Sequence, residues 1–210
     1  MDTPINVFSG WALNGKDEGM EKHHNDSVMN MIDFACRGLP EYSFIDAGCG
    51  NGWVVRHISN DSKCNSAIGV DGSSNMIKKA KKLDDKNQYY CEDLLNWIPR
   101  GKVDIVHSME VFYYFENPGL LIKHINNNWI KSGGRLIMGI DYYQENKSSH
   151  SWQNECGISI MKLHSEKEWK RFFGNAGLKD VTSWRHGQDK EWGGTLILSL
   201  IHISEPTRPY

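Results

Sequence analysis

FIDAGCGNGWVV, residues 44–55, places Gly48, Gly50 and Gly52 at alternate positions directly after an apolar run that contains Asp46. Glycine inside a strand or helix costs roughly 0.5–1 kcal/mol relative to alanine, so three within one short segment need a backbone reason. A strand that ends in a glycine loop and opens a helix presents main-chain N–H groups at a helix N-terminus. Glycine also lets a ligand approach the chain where a Cβ would collide. Such a loop suits a charged, flexible ligand, although a tight strand-to-helix turn without one also recruits Gly48 and Gly50.

Asp71 adds a second constraint. It closes the next apolar run, SAIGVDG, at the distance past the glycine loop where a carboxylate accepts hydrogen bonds from both ribose hydroxyls. Alone it would also serve as a helix cap; with the loop it indicates an adenosine-containing ligand held across the strand ends. A dinucleotide fingerprint reads G-x-G-x-x-G, and here its third glycine falls on Trp53, which weakens a nicotinamide-cofactor reading.

Outward from this segment, YSFIDAG, SAIGVDG, VDIVHSME and GGRLIMGI are short, rich in β-branched residues and bounded by polar or glycine punctuation, the pattern of buried parallel strands. SSNMIKKAKKL sets Met76, Ile77, Ala80 and Leu83 at helical spacing, with Lys78, Lys79, Lys81 and Lys82 on the other side as a solvated face. NPGLLIKHINNNWIK reads as a helix closed by Gly133 and Gly134. SEKEWKRFFGNAG begins with Ser165 and Glu168 at capping-box spacing and predicts another. LKDVTSWRH and GGTLILSL, joined by GQDKEWGG, predict an antiparallel hairpin at a sheet edge. This alternation argues for an α/β domain over residues 41–198, a three-layer, doubly wound sheet with helices on both faces. Residues 1–40 form a helical extension. Residues 199–210, in SLIHISEPTRPY, resemble an in-frame translation of a sequencing adapter, so this tail is expected to be non-native.

The chain has 210 residues, 39% hydrophobic and 24% charged, which fits one folded domain. A formal charge of −2 supplies no global attraction to polyanions. The N-terminus lacks the pattern of a secretion signal and no apolar run is long enough for a membrane span, so a cytoplasmic protein is expected. Five cysteines with no C-x-x-C pair suggest reduced thiols, and without Cys/His ligand spacing no metal is expected.

Asp46, Gly48, Gly50 and Gly52 match the acid-x-G-x-G-x-G motif, and in this the sequence resembles the class I S-adenosylmethionine-dependent methyltransferases from about Tyr42 to Leu198. The resemblance implies S-adenosyl-L-methionine as cofactor and a Rossmann-like, seven-stranded, mostly parallel sheet of order 3-2-1-4-5-7-6 whose last strand is antiparallel. It implies that the loop containing Cys49 cradles the cofactor and that Asp71 binds the ribose. Ser73 and Met76 then line the adenosine pocket. Asp93 and Leu94, with Glu92 as a substitute acid, lie beside the adenine, and Ser108, Met109 and Glu110 face the methionine moiety.

A sulfonium methyl is already activated, so the protein has mainly to hold a nucleophile in line and exclude water. A hydroxyl acceptor needs a general base, for which Glu110, His107 and His150 are candidates; a neutral amine or thiolate needs no strong base. Glu110 ranks first, with hydrogen bonding to the cofactor or a backbone amide as its bland alternative, and His107 reads more simply as a core histidine. His150 lies in the polar and aromatic loop after the fifth strand, where such enzymes often build the acceptor pocket. The N-terminal extension either closes over the cofactor as a lid or docks on the sheet edge. Tyr113, Tyr114, Phe115, Tyr142, Tyr143 and Trp152 suggest an aromatic wall for a small-molecule methyl acceptor, with core packing claiming part of the set. A tRNA or protein acceptor, a nicotinamide-dependent oxidoreductase and a non-catalytic binding protein are the competing readings.

Overall fold

The computed structural model of the chain describes residues 1–177 and 179–201. Seven strands, β1 (Tyr42–Ala47), β2 (Cys64–Asp71), β3 (Gln88–Cys91), β4 (Val103–Met109), β5 (Ile130–Ile140), β6 (Lys179–His186) and β7 (Thr195–Ile201), form one sheet in the order β3-β2-β1-β4-β5-β7-β6. β1 to β5 pair in parallel with one another, and β7 runs antiparallel to both β5 and β6. The expected sheet order and the antiparallel seventh strand are therefore present.

The helices are α1 (Pro4–Asn14), α2 (Glu18–Cys36), α3 (Trp53–Ile58), α4 (Ser74–Leu83), α5 (Pro118–Asn128), the single turn α6 (Trp152–Glu155) and α7 (Glu166–Asn175). Successive strand residues point to opposite faces, and both faces are covered. Phe44, Ile105, Ile137 and Ile197 pack with Val28 and Met31 of α2, Val55 of α3 and Ile77 of α4. Their neighbours Ile45, Val106, Leu136 and Leu198 pack with Leu121 and Ile125 of α5 and Trp169 and Phe173 of α7. This is why the strands read as continuous apolar runs: each is buried on two sides.

Several local expectations are refined. α5 stops at Asn128, and Gly133 and Gly134 lie inside β5 and do not close the helix. Val103 pairs with Ile130 but Ile105 with Arg135, so β5 carries an irregularity there, and Gly133 takes φ +77° within it. β3 is four residues long and its polar ends hide it from a periodicity reading. Leu83 is exposed, and Lys79 is not a free solvated lysine: its Nζ bonds Asp17 Oδ1 at 2.8 Å and Glu18 Oε1 at 3.0 Å. β7 runs past Leu198 to Ile201, with Ser199 paired to Ile137; the rest of the suspected tail lies outside the described residues. No helix among the described residues is long and apolar enough to cross a membrane.

Ser165 closes the predicted capping box: its side chain accepts the Glu168 N–H at 3.3 Å and Glu168 Oε2 accepts the Ser165 N–H at 2.9 Å. Ser165→Ala leaves the first turn of α7 short of an acceptor, and a stability loss of about 1 kcal/mol is expected in urea unfolding. An unchanged midpoint would show that Glu168 alone holds that helix end.

Candidate active site

The parallel strands aim their C-terminal ends at one edge of the sheet, and acidic residues stand there in sequence: Asp46 in β1, Asp71 ending β2, Glu110 just past β4 and Asp141 just past β5. In open α/β sheets this edge, beside the point where strand order reverses, is where ligands bind. Here β1 and β4 flank that point.

The three glycines of the loop after β1 have three different local reasons. Each has positive φ: +79° at Gly48, +52° at Gly50 and +79° at Gly52. A Cβ on Gly48 would lie 2.2 Å from Val111 Cγ2, and one on Gly52 would lie 2.5 Å from Tyr89 Cε1, so both are closed by neighbouring side chains. A Cβ on Gly50 would meet nothing within 4 Å. Of these three, Gly50 alone combines a left-handed backbone with open space above it, the condition for a ligand to rest on the main chain.

Asp71 is tied to this loop. Its Oδ2 accepts the Gly50 N–H at 2.9 Å and its Oδ1 accepts the Ser73 N–H at 2.7 Å. Burial raises its pKa despite these two amides. Ser73 caps α4 through its hydroxyl, which accepts the Met76 N–H at 3.3 Å. Beneath the loop, Asp46 Oδ1 pairs with His107 Nδ1 at 2.7 Å, both side chains buried, and the His107 ring stacks on Phe44. His107 is accordingly a core histidine.

A cavity of about 310 Å³ opens at the strand ends. Of the residues expected at the cofactor, Gly48, Gly50, Asp71, Ser73, Met76, Asp93, Leu94 and Met109 line it, as do Glu110 and the substitute acid Glu92. Asp46 and Cys49 line a smaller recess of about 30 Å³ behind the glycine loop. Gly52 and Ser108 line neither: Gly52 packs on Tyr89, and the Ser108 hydroxyl donates to the Ala47 carbonyl at 2.7 Å, turned back into the sheet. The fold also brings residues to this cavity that no pattern reading found. Thr3, Pro4, Ile5 and Phe8, from the cap and first turns of α1, close one side, and Ile160 adds an apolar contact. α1 is held across the opening by the bridge Asp2–Ile158 and by the hydrogen bond Asn75 Nδ2 to Ser9 Oγ at 2.7 Å.

A second cavity, of about 570 Å³, adjoins the first and shares Phe8, Met20, Glu110 and Tyr114 with it. Tyr113, Tyr114 and Trp152 of the expected aromatic wall face it. Phe115 faces the smaller cavity, whereas Tyr142 and Tyr143 are buried in the core, Tyr143 donating to the carbonyls of Gly193 and Gly194. His150 is a correction: it is exposed, its Nε2 lies 3.1 Å from the Gln144 carbonyl, and it lines neither cavity, because the turn after β5 faces it outward.

Glu110 stands at the boundary of the two cavities. Among the described residues it is the one non-glycine with positive φ, +60°, a conformation that costs of order 1–3 kcal/mol and persists where surrounding contacts impose it. Its N–H donates to Gly139 O at 2.9 Å, its Oε2 accepts the Tyr113 hydroxyl at 2.6 Å and its Oε1 accepts the Asp141 N–H. The bland expectation of a bond to a backbone amide is therefore met, at Asp141. Burial, and then the Asp141 carboxylate, push its pKa to about 8, against the opposing effects of His24 and Tyr113. His24 Nε2 lies 3.5 Å from Asp141 Oδ2, and its Nδ1 lies 3.0 Å from the Met20 carbonyl. Sequence patterns missed Asp141 at this site, although it follows the same rule as Asp46 and Asp71: an acid at the end of an apolar strand.

A carboxyl group whose pKa is higher in the folded state than in the unfolded chain binds more protons when folded. Stability should then fall as pH rises from the ordinary carboxylate range towards about 8 and level off above it. Glu110→Gln removes this contribution, so the variant should lose less stability than the parent chain in urea unfolding between about pH 6 and pH 8.5. Parallel pH profiles would place the raised proton affinity elsewhere.

The family described as "Methyltransferase domain" matches residues 15–183. Methyltransferase 235L of Invertebrate iridescent virus 6 is 33% identical over 131 residues, 62% of this chain and 46% of its own length. The chain spans about half the length of the curated relatives it matches. Among solved structures, a chain of the complex between the Haloferax volcanii Trm112 methyltransferase activator and a methyltransferase superposes with TM-score 0.77 at 26% identity, covering 94% of this chain and 98% of that one. The N-methyltransferase NodS of Bradyrhizobium japonicum, solved with S-adenosyl-L-homocysteine, shares the fold at TM-score 0.62 and 14% identity, covering 83% of this chain and 84% of that one. With the strand order, the strand-end loop and the match over most of its length in agreement, the chain belongs to the class I S-adenosylmethionine-dependent methyltransferase family.

Proposed function

We propose that this chain transfers a methyl group from S-adenosyl-L-methionine to a small-molecule acceptor, with the cofactor in the smaller cavity and the acceptor in the larger one. One observation carries this reading: the two cavities are contiguous, and the residues they share, Phe8, Met20, Glu110 and Tyr114, put a carboxyl group and two aromatic rings at their junction. When bound, the cofactor supplies an electrophilic methyl group on a sulfonium.

The residues fit that group. Gly50 offers a main-chain cradle that any Cβ would fill, and Asp71 offers a partly buried carboxylate beside it for the ribose hydroxyls. Met76 and Leu94 supply apolar walls for the adenine, with Ser73, Asp93 and Glu92 at their edge. Asp46 and Cys49 back the loop from behind, and Gly52 and Ser108 act from further out by fixing its packing on Tyr89 and the register of β1 with β4. Met109 and Glu110 close the cavity on the methyl side. α1 serves as the lid: it covers the cofactor with Ile5 and Phe8, so that water is excluded from the junction.

Titration calorimetry with S-adenosylhomocysteine and with NAD tests the assignment. Saturable binding of the first alone is expected; binding of NAD alone would make the chain a nicotinamide protein and end the proposal. Gly50→Ala sharpens the test. The left-handed φ makes the substitution cost about 1 kcal/mol of stability, with no side chain in the way. S-adenosylhomocysteine affinity should nonetheless fall by roughly tenfold or more, because the new methyl group occupies the cradle. Retained affinity would remove the ligand from the loop.

A further inference from the structure

We propose that the methyl acceptor is an amine that enters as its ammonium ion and is held between Glu110 and Asp141; this rests on the methyl-transfer reading above. One atom each of His24, Glu110 and Asp141 lies within 4.8 Å of the others; all three line the larger cavity, and Glu110 lines both. Asp141 is only 5% exposed, lines the larger cavity, and its Oδ1 has no hydrogen-bond partner. A buried carboxylate oxygen without a donor is costly, and a ligand N–H removes that cost. The opposite oxygen, Oδ2, is already occupied, since it faces His24 Nε2. His24 is oriented by its Nδ1 contact with Met20 O, and its pKa is raised, with Asp141 and Glu110 prevailing over burial.

The walls fit the same ligand. Phe8, Trp11, Tyr114, Trp152 and Trp192 line the larger cavity, and aromatic faces attract ammonium groups. The Lys16 ammonium already sits 4.2 Å above the Trp11 ring at this rim, which shows the type of contact offered. Asp26, His23, His186, Tyr113 and Cys156 are the other titratable groups lining it. A carboxylate acceptor would meet like charge at Asp141, and at Glu110 where it is ionised, and an alcohol would bring no charge to pair with them.

The chemistry balances. An ammonium nitrogen has no free lone pair, so one N–H proton must leave first, and Glu110 at the junction accepts it in its ionised form, which prevails above about pH 8. Burial and Asp141 have raised the proton affinity of Glu110 for that task. The freed pair forms the N–C bond as the methyl carbon leaves sulfur, which keeps the bonding pair. The methylated product carries the positive charge, and the cofactor product is neutral.

The test is calorimetry on protein saturated with S-adenosylhomocysteine, using phenethylamine, 2-phenylethanol and 3-phenylpropionate as matched probes, with methylamine and spermidine to span size. Phenethylamine should bind at least about tenfold more tightly than the alcohol or the acid, and Asp141→Asn and Glu110→Gln should each weaken it by at least about tenfold, with S-adenosylhomocysteine affinity kept in Asp141→Asn, whose side chain lies outside the smaller cavity. Equal binding of the alcohol or the acid, amine affinity untouched by both variants, or no amine binding up to about 10 mM would overturn the proposal. So would Mn²⁺ binding at the same three residues that excludes every amine. Failure of S-adenosylhomocysteine itself to bind would instead strike the methyl-transfer reading.

Discussion

Asp71→Ala is expected to weaken S-adenosylhomocysteine binding by about two orders of magnitude or more, the combined loss of two charge-assisted hydrogen bonds at roughly 1.5–3 kcal/mol each. The loss has a second source within the chain. The Gly50 and Ser73 amides, at 2.9 and 2.7 Å from the carboxylate, lose their acceptor, so the loop after β1 and the start of α4 are no longer held together. Calorimetry gives the affinity, and far-ultraviolet circular dichroism confirms that the sheet persists. A dissociation constant within about threefold of the parent chain would mean that Asp71 only staples the loop and that the sugar lies elsewhere.

Gly48→Ala should be strongly destabilising. Its φ of +79° strains any other residue, and the new Cβ would lie 2.2 Å from Val111 Cγ2 and 3.0 Å from Val111 Cγ1. Backbone strain of order 1–3 kcal/mol and overpacking of similar size give an expected destabilisation of about 3 kcal/mol. The two sources separate in a double-mutant cycle. Val111→Ala in the same chain removes the collision and should recover about half of the loss, leaving the φ penalty. No recovery would show that the backbone conformation alone demands glycine there. Set beside Gly50→Ala, which meets no side chain, this pair distinguishes a glycine required by packing from one required by a ligand.

Much of the fold was legible because parallel strands buried on two faces must be apolar at every position. YSFIDAG, SAIGVDG and VDIVHSME therefore stand out from the amphipathic helices between them. The capping box at Ser165 was legible for a similar reason, since it depends on residues three apart. Where reading failed, the cause was tertiary. Gly133 and Gly134 resemble a helix stop, yet they accommodate an irregular pairing of β5 with β4 that no local pattern encodes. His150 has the right chemistry in the right loop, but its ring is turned to Gln144. Tyr142 and Tyr143 belong to the part of the aromatic set that core packing claims, and Tyr143 lies under residues 193–194, a placement no local pattern encodes.

The amino-acid order by itself determined the strand-loop-helix units, the left-handed glycines between β1 and α3, and an acid at the end of β2. All of these are set by backbone sterics and short-range spacing. Tertiary structure alone decided that Gly50 faces open space while Gly48 and Gly52 face Val111 and Tyr89, and that α1 covers the smaller cavity. It also decided that His24, Glu110 and Asp141 meet in the larger cavity, at the side where Glu110 borders the smaller one. The physical reason is the parallel register: it stacks the ends of strands distant in sequence along one edge, and only there do carboxylates that look independent in the chain come to share one electrostatic environment.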